Sequence, residues 1–257
     1  MNSIKKCFFE KKKYILSIYL TAGYPNIKST QKIFKKLQEI KVVDIIEIGL
    51  PYSDPLSDGI IIQNSSQKAL ENGITIKLFF SQLYAIKKNK PIILMGYYNQ
   101  FLKFGEERFL KDCIKSGISG LIFPDLPVEI YKSKYHTLFK SFDLPLIFLA
   151  TPKTTDKYIL MLSKITRSFL YLVSSSSTTG PKKKISFEQL FFFDNIKNLN
   201  FNIPKLVGFG ISNKIHFNIA CSSFEGAIIG SEFLSYLALE EKRLEESIEN
   251  FFNFFFA

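Results

Sequence analysis

Short apolar runs recur along the chain at residues 14–20, 44–50, 91–97, 118–123, 145–149, 169–173, 204–207 and 226–229. Each is rich in Ile, Leu, Val, Phe or Tyr and has the length of a strand, and five run directly into Pro51, Pro124, Ser174, Gly208 or Gly230, the marks of a buried strand followed by a turn. Between them lie helix-length segments with apolar residues three and four apart, such as Ile33, Phe34, Leu37 and Ile40, or Phe79, Phe80, Leu83 and Ile86. Strict alternation of strand and helix predicts a parallel sheet wrapped by helices. Eight repeats in 257 residues match the count and size of a (β/α)8 barrel. An amphipathic start over residues 4–13 predicts an extra N-terminal helix, and residues 240–257 read as one long final helix. A doubly wound open sheet has the same order of elements, but no Gly-x-Gly-x-x-Gly follows the first strand. No Gly-, Ser- or Pro-rich linker divides the chain, so residues 1–257 are expected to form one domain.

In such a barrel, chemistry sits at the carboxyl ends of the strands. The second run, Ile45-Ile46-Glu47-Ile48-Gly49-Leu50, holds one misfit, Glu47. An ionised carboxylate is costly among apolar side chains unless it is paired, hydrogen-bonded or neutralised. Eleven residues on, Asp58 lies in an Asp-Gly turn that can return it over the strand end. The plainer alternatives are an ion pair for Glu47 and an Asx-turn for Asp58. The third run ends in Gly96-Tyr97-Tyr98-Asn99, aromatic enough to stack a flat ligand, although Tyr98 reads as packing. The fourth ends in Phe123-Pro124-Asp125-Leu126-Pro127, a stiff turn with one acid. After Tyr171, residues 174–180 are Ser and Thr closed by Gly180, which suits either a surface linker or a mobile lid. Gly208 to Ser212 and Gly230-Ser231-Glu232 follow the last two strands, where glycines let backbone amides approach an anion.

Composition changes this picture little. The chain is 46% hydrophobic and 22% charged, enough for a sizeable core. Its net charge of +11 and pI near 9.4 would permit contact with polyanions, but the lysines are dispersed between apolar segments, so nucleic-acid binding is not expected. Cys7, Cys113 and Cys221 form no Cys-x-x-Cys pair, and His136 and His216 form no metal-ligand spacing; both histidines read as surface or capping residues, and no metal is expected. The lysines before residues 14–22 imitate a signal peptide, but that run carries Tyr14, Ser17, Tyr19 and Thr21 and suits a first strand better. No apolar segment reaches the ~18 residues that span a bilayer. The expectation is a cytoplasmic protein without membrane contact.

The central tract, Glu-x-Gly-x-Pro-x-Ser-Asp-Pro-x-x-Asp-Gly from Glu47 to Gly59, followed by Ile-Gln-Asn and Ala69-Leu70, closely resembles the tryptophan synthase α subunits. Leu20 to Pro25, Met95 to Gly105, Phe123 to Pro127, Tyr171 to Gly180, Gly208 to Ser212 and Gly226 to Ser231 carry the likeness through most of the chain. The resemblance implies retro-aldol cleavage of indole-3-glycerol phosphate to indole and glyceraldehyde 3-phosphate without a cofactor, with indole passed to a pyridoxal-phosphate β subunit in an α2β2 assembly. It implies Glu47 as general acid/base and Asp58 as the partner of the indole N–H. Tyr97, Tyr171 and Phe209 would line the indole pocket, Gly180, Gly210, Gly230 and Ser231 would hold phosphate, and Thr179 would contact the aspartate when a lid closes. The chain departs from the family at Ser177-Thr178, where Gly-Val is usual, and at Glu232, where a small residue is commoner. Two other functions fit parts of the pattern: another phosphate-binding barrel lyase or isomerase, and a silent partner that only activates a β subunit.

Overall fold

The computed structural model describes residues 2–55, 58–84, 86–173, 186–208, 210–239 and 243–256. The chain runs α1 (Ser3–Glu10), β1 (Ile15–Thr21), α2 (Ser29–Glu39), β2 (Ile45–Gly49), α3 (Ile60–Glu71), α4 (Ile76–Tyr84), β3 (Ile92–Met95), α5 (Tyr98–Phe104), α6 (Glu106–Lys115) and β4 (Gly120–Ile122). There follow α7 (Val128–Ile130), a π-helical turn (Tyr131–Tyr135), α8 (His136–Ser141), β5 (Phe148–Ala150), α9 (Asp156–Ile165), β6 (Leu170–Val173) and α10 (Phe187–Asn198). The last elements are β7 (Lys205–Gly208), α11 (Lys214–Ser223), β8 (Gly226–Ile229), α12 (Ser231–Leu239) and α13 (Leu244–Phe256).

All eight strands belong to one sheet of order β4-β3-β2-β1-β8-β7-β6-β5, and every pairing is parallel. The two ends of that order meet at a parallel bridge between Leu121 and Leu146, where the Leu121 amide donates to the Pro145 carbonyl and the Ile147 amide to the Leu121 carbonyl. The sheet is thus closed into a (β/α)8 barrel with an added N-terminal helix, as the periodicity predicts. Three of the predicted runs open on Pro91, Pro145 and Pro204, yet the strands begin one to three residues later. Each of these prolines gives its carbonyl to the neighbouring strand but has no N–H to return, so the ladder starts beyond it.

Alternation decides what points where. Parallel partners in register share a face, so Tyr19, Glu47 and Ile93 face one way, and Thr21, Gly49 and Met95 form the next layer towards the carboxyl ends. The other face of the strands, with Ile18, Ile46 and Ile48, is buried beneath helices whose Ile33, Phe34, Phe79 and Phe80 are almost fully enclosed. At the amino end α1 closes the barrel. Ile4 is fully buried, and a Cβ placed on Gly120 would come within 2.8 Å of it, so the plug needs a glycine beneath it. Asn2 accepts from the Ile4 amide and donates to the Ser119 carbonyl, tying the start of the helix to the barrel floor.

The described part of the final helix is α13, from Leu244 on; residues 240–242 of the expected 240–257 helix lie outside the described residues, and a separate helix, α12, directly follows β8. In α13, Leu244, Ile248, Phe251 and Phe252 are buried against the rest of the barrel wall, whereas Phe254 stays exposed. The two helices divide the covering between them, α12 lying on β1 and α13 on α2. Among the described residues no helix is long and apolar enough to cross a membrane.

Candidate active site

Glu47 sits mid-strand in β2 with its side chain inside the barrel. It is 1% exposed, and among the described residues neither carboxyl oxygen has a hydrogen-bond partner. Burial, with a smaller contribution from the nearby Asp58 charge, pushes its pKa up to about 8. The ion pair considered from the sequence does not form with any described residue, so the carboxyl is held mainly in its protonated form at neutral pH. A group so placed weakens the fold when it ionises, and groups of this kind gather at sites that transfer protons.

Asp58 returns over the end of β2, as the Asp-Gly turn suggests. The turn is short because α3 starts at Ile60, and the Gln63 side chain, already helical, donates to the Asp58 carbonyl at 2.7 Å. The Asp58 carboxyl is buried, and the Tyr97 hydroxyl donates to its Oδ2 at 3.1 Å. Burial raises its pKa, and the Tyr97 hydrogen bond opposes that rise by stabilising the charged form. The start of α3 beside it also favours negative charge. The two carboxyls therefore differ in environment: one has a donor and a helix end, the other has neither.

Tyr97 is fixed by its neighbours. Its ring stacks on Tyr52 with centroids 4.5 Å apart. Its amide donates to Gln100, whose own amide group donates to the Pro51 carbonyl and so joins the ends of β3 and β2. Asp125 accepts from the Tyr98 amide at 2.8 Å, which makes the acid of the fourth turn a cap for α5. The Tyr98 ring points away, its hydroxyl against that of Tyr135, in keeping with a packing role.

Two further tyrosines cross the mouth over glycines. A Cβ on Gly208 would lie 2.2 Å from the Tyr171 hydroxyl oxygen, and one on Gly49 would lie 2.0 Å from that of Tyr19. No side chain fits at either position while those rings are in place. Both phenols are buried, and burial above all lifts their pKa values well above the ordinary range, with Asp58 adding to it at Tyr19 and Glu47 at Tyr171. They remain neutral at any working pH. Tyr19 is not among the site residues that the sequence singles out. The signal was present, since Ser17, Tyr19 and Thr21 alternate along β1 as a polar face opposite Leu16, Ile18 and Leu20.

The glycine turns after β7 and β8 lie at the same end of the barrel. Gly210 has φ +77°, a conformation that favours glycine. Gly230 precedes Ser231, the first residue of α12, and the first amides of a helix have no partner within it. Glu232 is half-buried there, and burial raises its carboxyl pKa. His216 is a correction: it is neither a surface residue nor a side-chain cap. It is 3% exposed and its Nδ1 lies 2.9 Å from the Gly210 carbonyl, so it supports that turn from below, while Asn213 caps the helix. Phe209, Thr179 and Gly180, with the rest of 174–185, lie outside the described residues.

A closed parallel barrel with a buried, proton-holding carboxyl and a second, hydrogen-bonded carboxyl at its carboxyl end defines a barrel enzyme of acid–base type. The chain belongs to the tryptophan synthase alpha chain family, whose model matches residues 5–254. A tryptophan synthase alpha chain of Karelsulcia muelleri is 54% identical over 256 residues, covering 99% of both chains. One of Flavobacterium johnsoniae is 47% identical over 240 residues, covering 93% of this chain and 94% of that one. Among solved structures, a mutant alpha-subunit from the hyperthermophile Pyrococcus furiosus superposes with a TM-score of 0.86 at 29% identity, over 95% of this chain and 98% of that chain. Tryptophan synthase of Mycobacterium tuberculosis gives 0.84 at 27% identity, over 99% and 98%. The family is a lyase component of tryptophan biosynthesis and cleaves indole-3-glycerol phosphate.

Proposed function

We propose that this chain cleaves indole-3-glycerol phosphate with Glu47 as its proton shuttle. The observation that carries this is the buried Glu47 carboxyl, without a hydrogen-bond partner among the described residues and with a pKa of about 8. Protonated Glu47 gives its proton to the ring carbon that bears the glycerol chain. The resulting carboxylate takes the proton from the hydroxyl on the adjacent chain carbon, the carbon–carbon bond breaks, and indole and an aldehyde leave with Glu47 protonated again. Asp58 stays ionised and accepts the indole N–H, stabilising the positive charge that develops on the ring. A carboxyl held by Tyr97 at a helix start suits that part, and a desolvated one suits proton transfer.

Tyr97, Tyr171 and Phe209 line the indole end in this proposal. Gly180, Gly210, Gly230 and Ser231 hold phosphate through backbone amides, and Thr179 meets Asp58 when residues 174–180 close. The partner is a tryptophan synthase β subunit that receives the indole, in an α2β2 assembly in the cytoplasm, with Tyr52, Asp54 and Pro55 near the contact. The reaction needs no cofactor in this chain. The test is an indole-release assay on the purified chain with and without β subunit. Indole formed from indole-3-glycerol phosphate, and faster with the partner, is the expected result; no indole in either case would overturn the proposal.

A further inference from the structure

The substrate proposed above has three parts: a flat ring at the carboxyls, a phosphate at the glycine turns, and a dihydroxylated three-carbon chain between them. One buried side chain spans that interval. The base of the Tyr19 ring packs on Gly230, where a Cβ would lie 3.4 Å from Tyr19 Cβ and Cδ1, and its hydroxyl end lies over Gly49. Tyr19 therefore reaches from the start of the Gly230-Ser231 turn to the end of the strand that carries Glu47. Its hydroxyl is close enough to Asp58, Glu47 and Tyr97 to couple electrostatically with each.

A chain of hydroxyls holds the far end of the ring. Ser65 Oγ donates to the Ile62 carbonyl at 2.8 Å. Thr21 Oγ1 lies 2.7 Å from Ser65 Oγ. The Tyr19 hydroxyl hydrogen-bonds to Thr21. The phenolic oxygen keeps a lone pair for one further donor. Neither carboxyl of the site hydrogen-bonds to it, and a phenylalanine would fill the same space without burying a polar atom.

We infer that the Tyr19 oxygen is a further substrate contact, accepting a hydrogen bond from a hydroxyl of the three-carbon chain between ring and phosphate. The inference rests on the reading of the site given above. It makes Tyr19 an orienting contact for the part of the substrate where the bond breaks, and a means of preferring hydroxylated chains over reduced ones.

The test compares Tyr19→Phe with the parent chain by calorimetry against two probes, glycerol 3-phosphate and an indolylpropyl phosphate that lacks both chain hydroxyls. Loss of one neutral hydrogen bond is worth about a three- to tenfold change in affinity. Tyr19→Phe should weaken glycerol 3-phosphate by about that factor, lower kcat/KM for indole-3-glycerol phosphate at least as much, and leave indolylpropyl phosphate unchanged. Equal effects on the two probes, including none on either, would overturn the inference while leaving the site assignment intact. Failure of both probes to bind the parent chain would instead overturn the site assignment, and this inference with it. Thr21→Val provides a second variant should Tyr19→Phe not fold: it frees the Tyr19 hydroxyl to rotate, and should likewise weaken only the hydroxylated probe.

Discussion

Replacing Glu47 by Gln should make the protein more stable in alkaline solution while removing its activity. The folded chain holds the Glu47 proton up to a pKa of about 8, whereas the ordinary carboxyl value is 4.5. A raised folded-state pKa contributes stability that is full below the unfolded value and is lost as pH rises through the folded value. The window is therefore about pH 4.5 to 8. At ~1.4 kcal/mol per pH unit per proton, the parent should lose up to about 5 kcal/mol across it through this group. The substituted glutamine has nearly the same volume and a buried amide whose cost does not change with pH. The difference in unfolding free energy between variant and parent should thus rise steadily from about pH 5 to about pH 8, an effect on the order of 10 °C in Tm for a chain of this size. Urea unfolding at fixed pH values measures it directly. A difference that stays flat across that window would refute the claim that Glu47 is buried without a charge partner.

Three further outcomes follow from the same geometry. Tyr97→Phe removes the donor to Asp58 Oδ2, so the Asp58 pKa should rise further and kcat/KM should fall about tenfold or more, with its acid limb moved to higher pH; an unchanged pH profile would separate Tyr97 from Asp58. Gly230→Glu puts bulk and charge against the amides at the start of α12, and calorimetry should find glycerol 3-phosphate affinity down about tenfold or more; equal affinity would remove that turn from the anion site. Gly208→Ala sets a Cβ 2.2 Å from the Tyr171 hydroxyl oxygen, so the ring must move, and both indole release and stability should drop; parent-like activity would show that Tyr171 does not line the pocket in place.

The fold was legible because each strand is bounded by punctuation and each helix has a clear apolar stripe, so local pattern and global closure agree. Glu47 and Asp58 were legible as candidates, one because a carboxyl in an apolar strand is costly unless it is paired or used and the other because of its Asp-Gly turn. What stayed hidden depends on contacts across the barrel. Tyr19 looks like one more strand aromatic until Gly49 is seen beneath its hydroxyl, where a Cβ would clash at 2.0 Å, and the two residues are brought together by the β1–β2 pairing. His216 shares the buried stripe of its helix with Phe217, Ala220 and Cys221, but the Gly210 carbonyl that its ring meets belongs to a turn outside that helix.

The central claim is that one carboxyl, Glu47, moves the proton in both directions. Indole release from indole-3-glycerol phosphate by Glu47→Gln, alongside its affinity for glycerol 3-phosphate, tests this most directly. An amide fills the same space but cannot shuttle a proton, so cleavage should fall by about 10²-fold or more while phosphate-ligand affinity stays at the parent value. Cleavage within a few-fold of the parent, at parent-like affinity, would contradict the account.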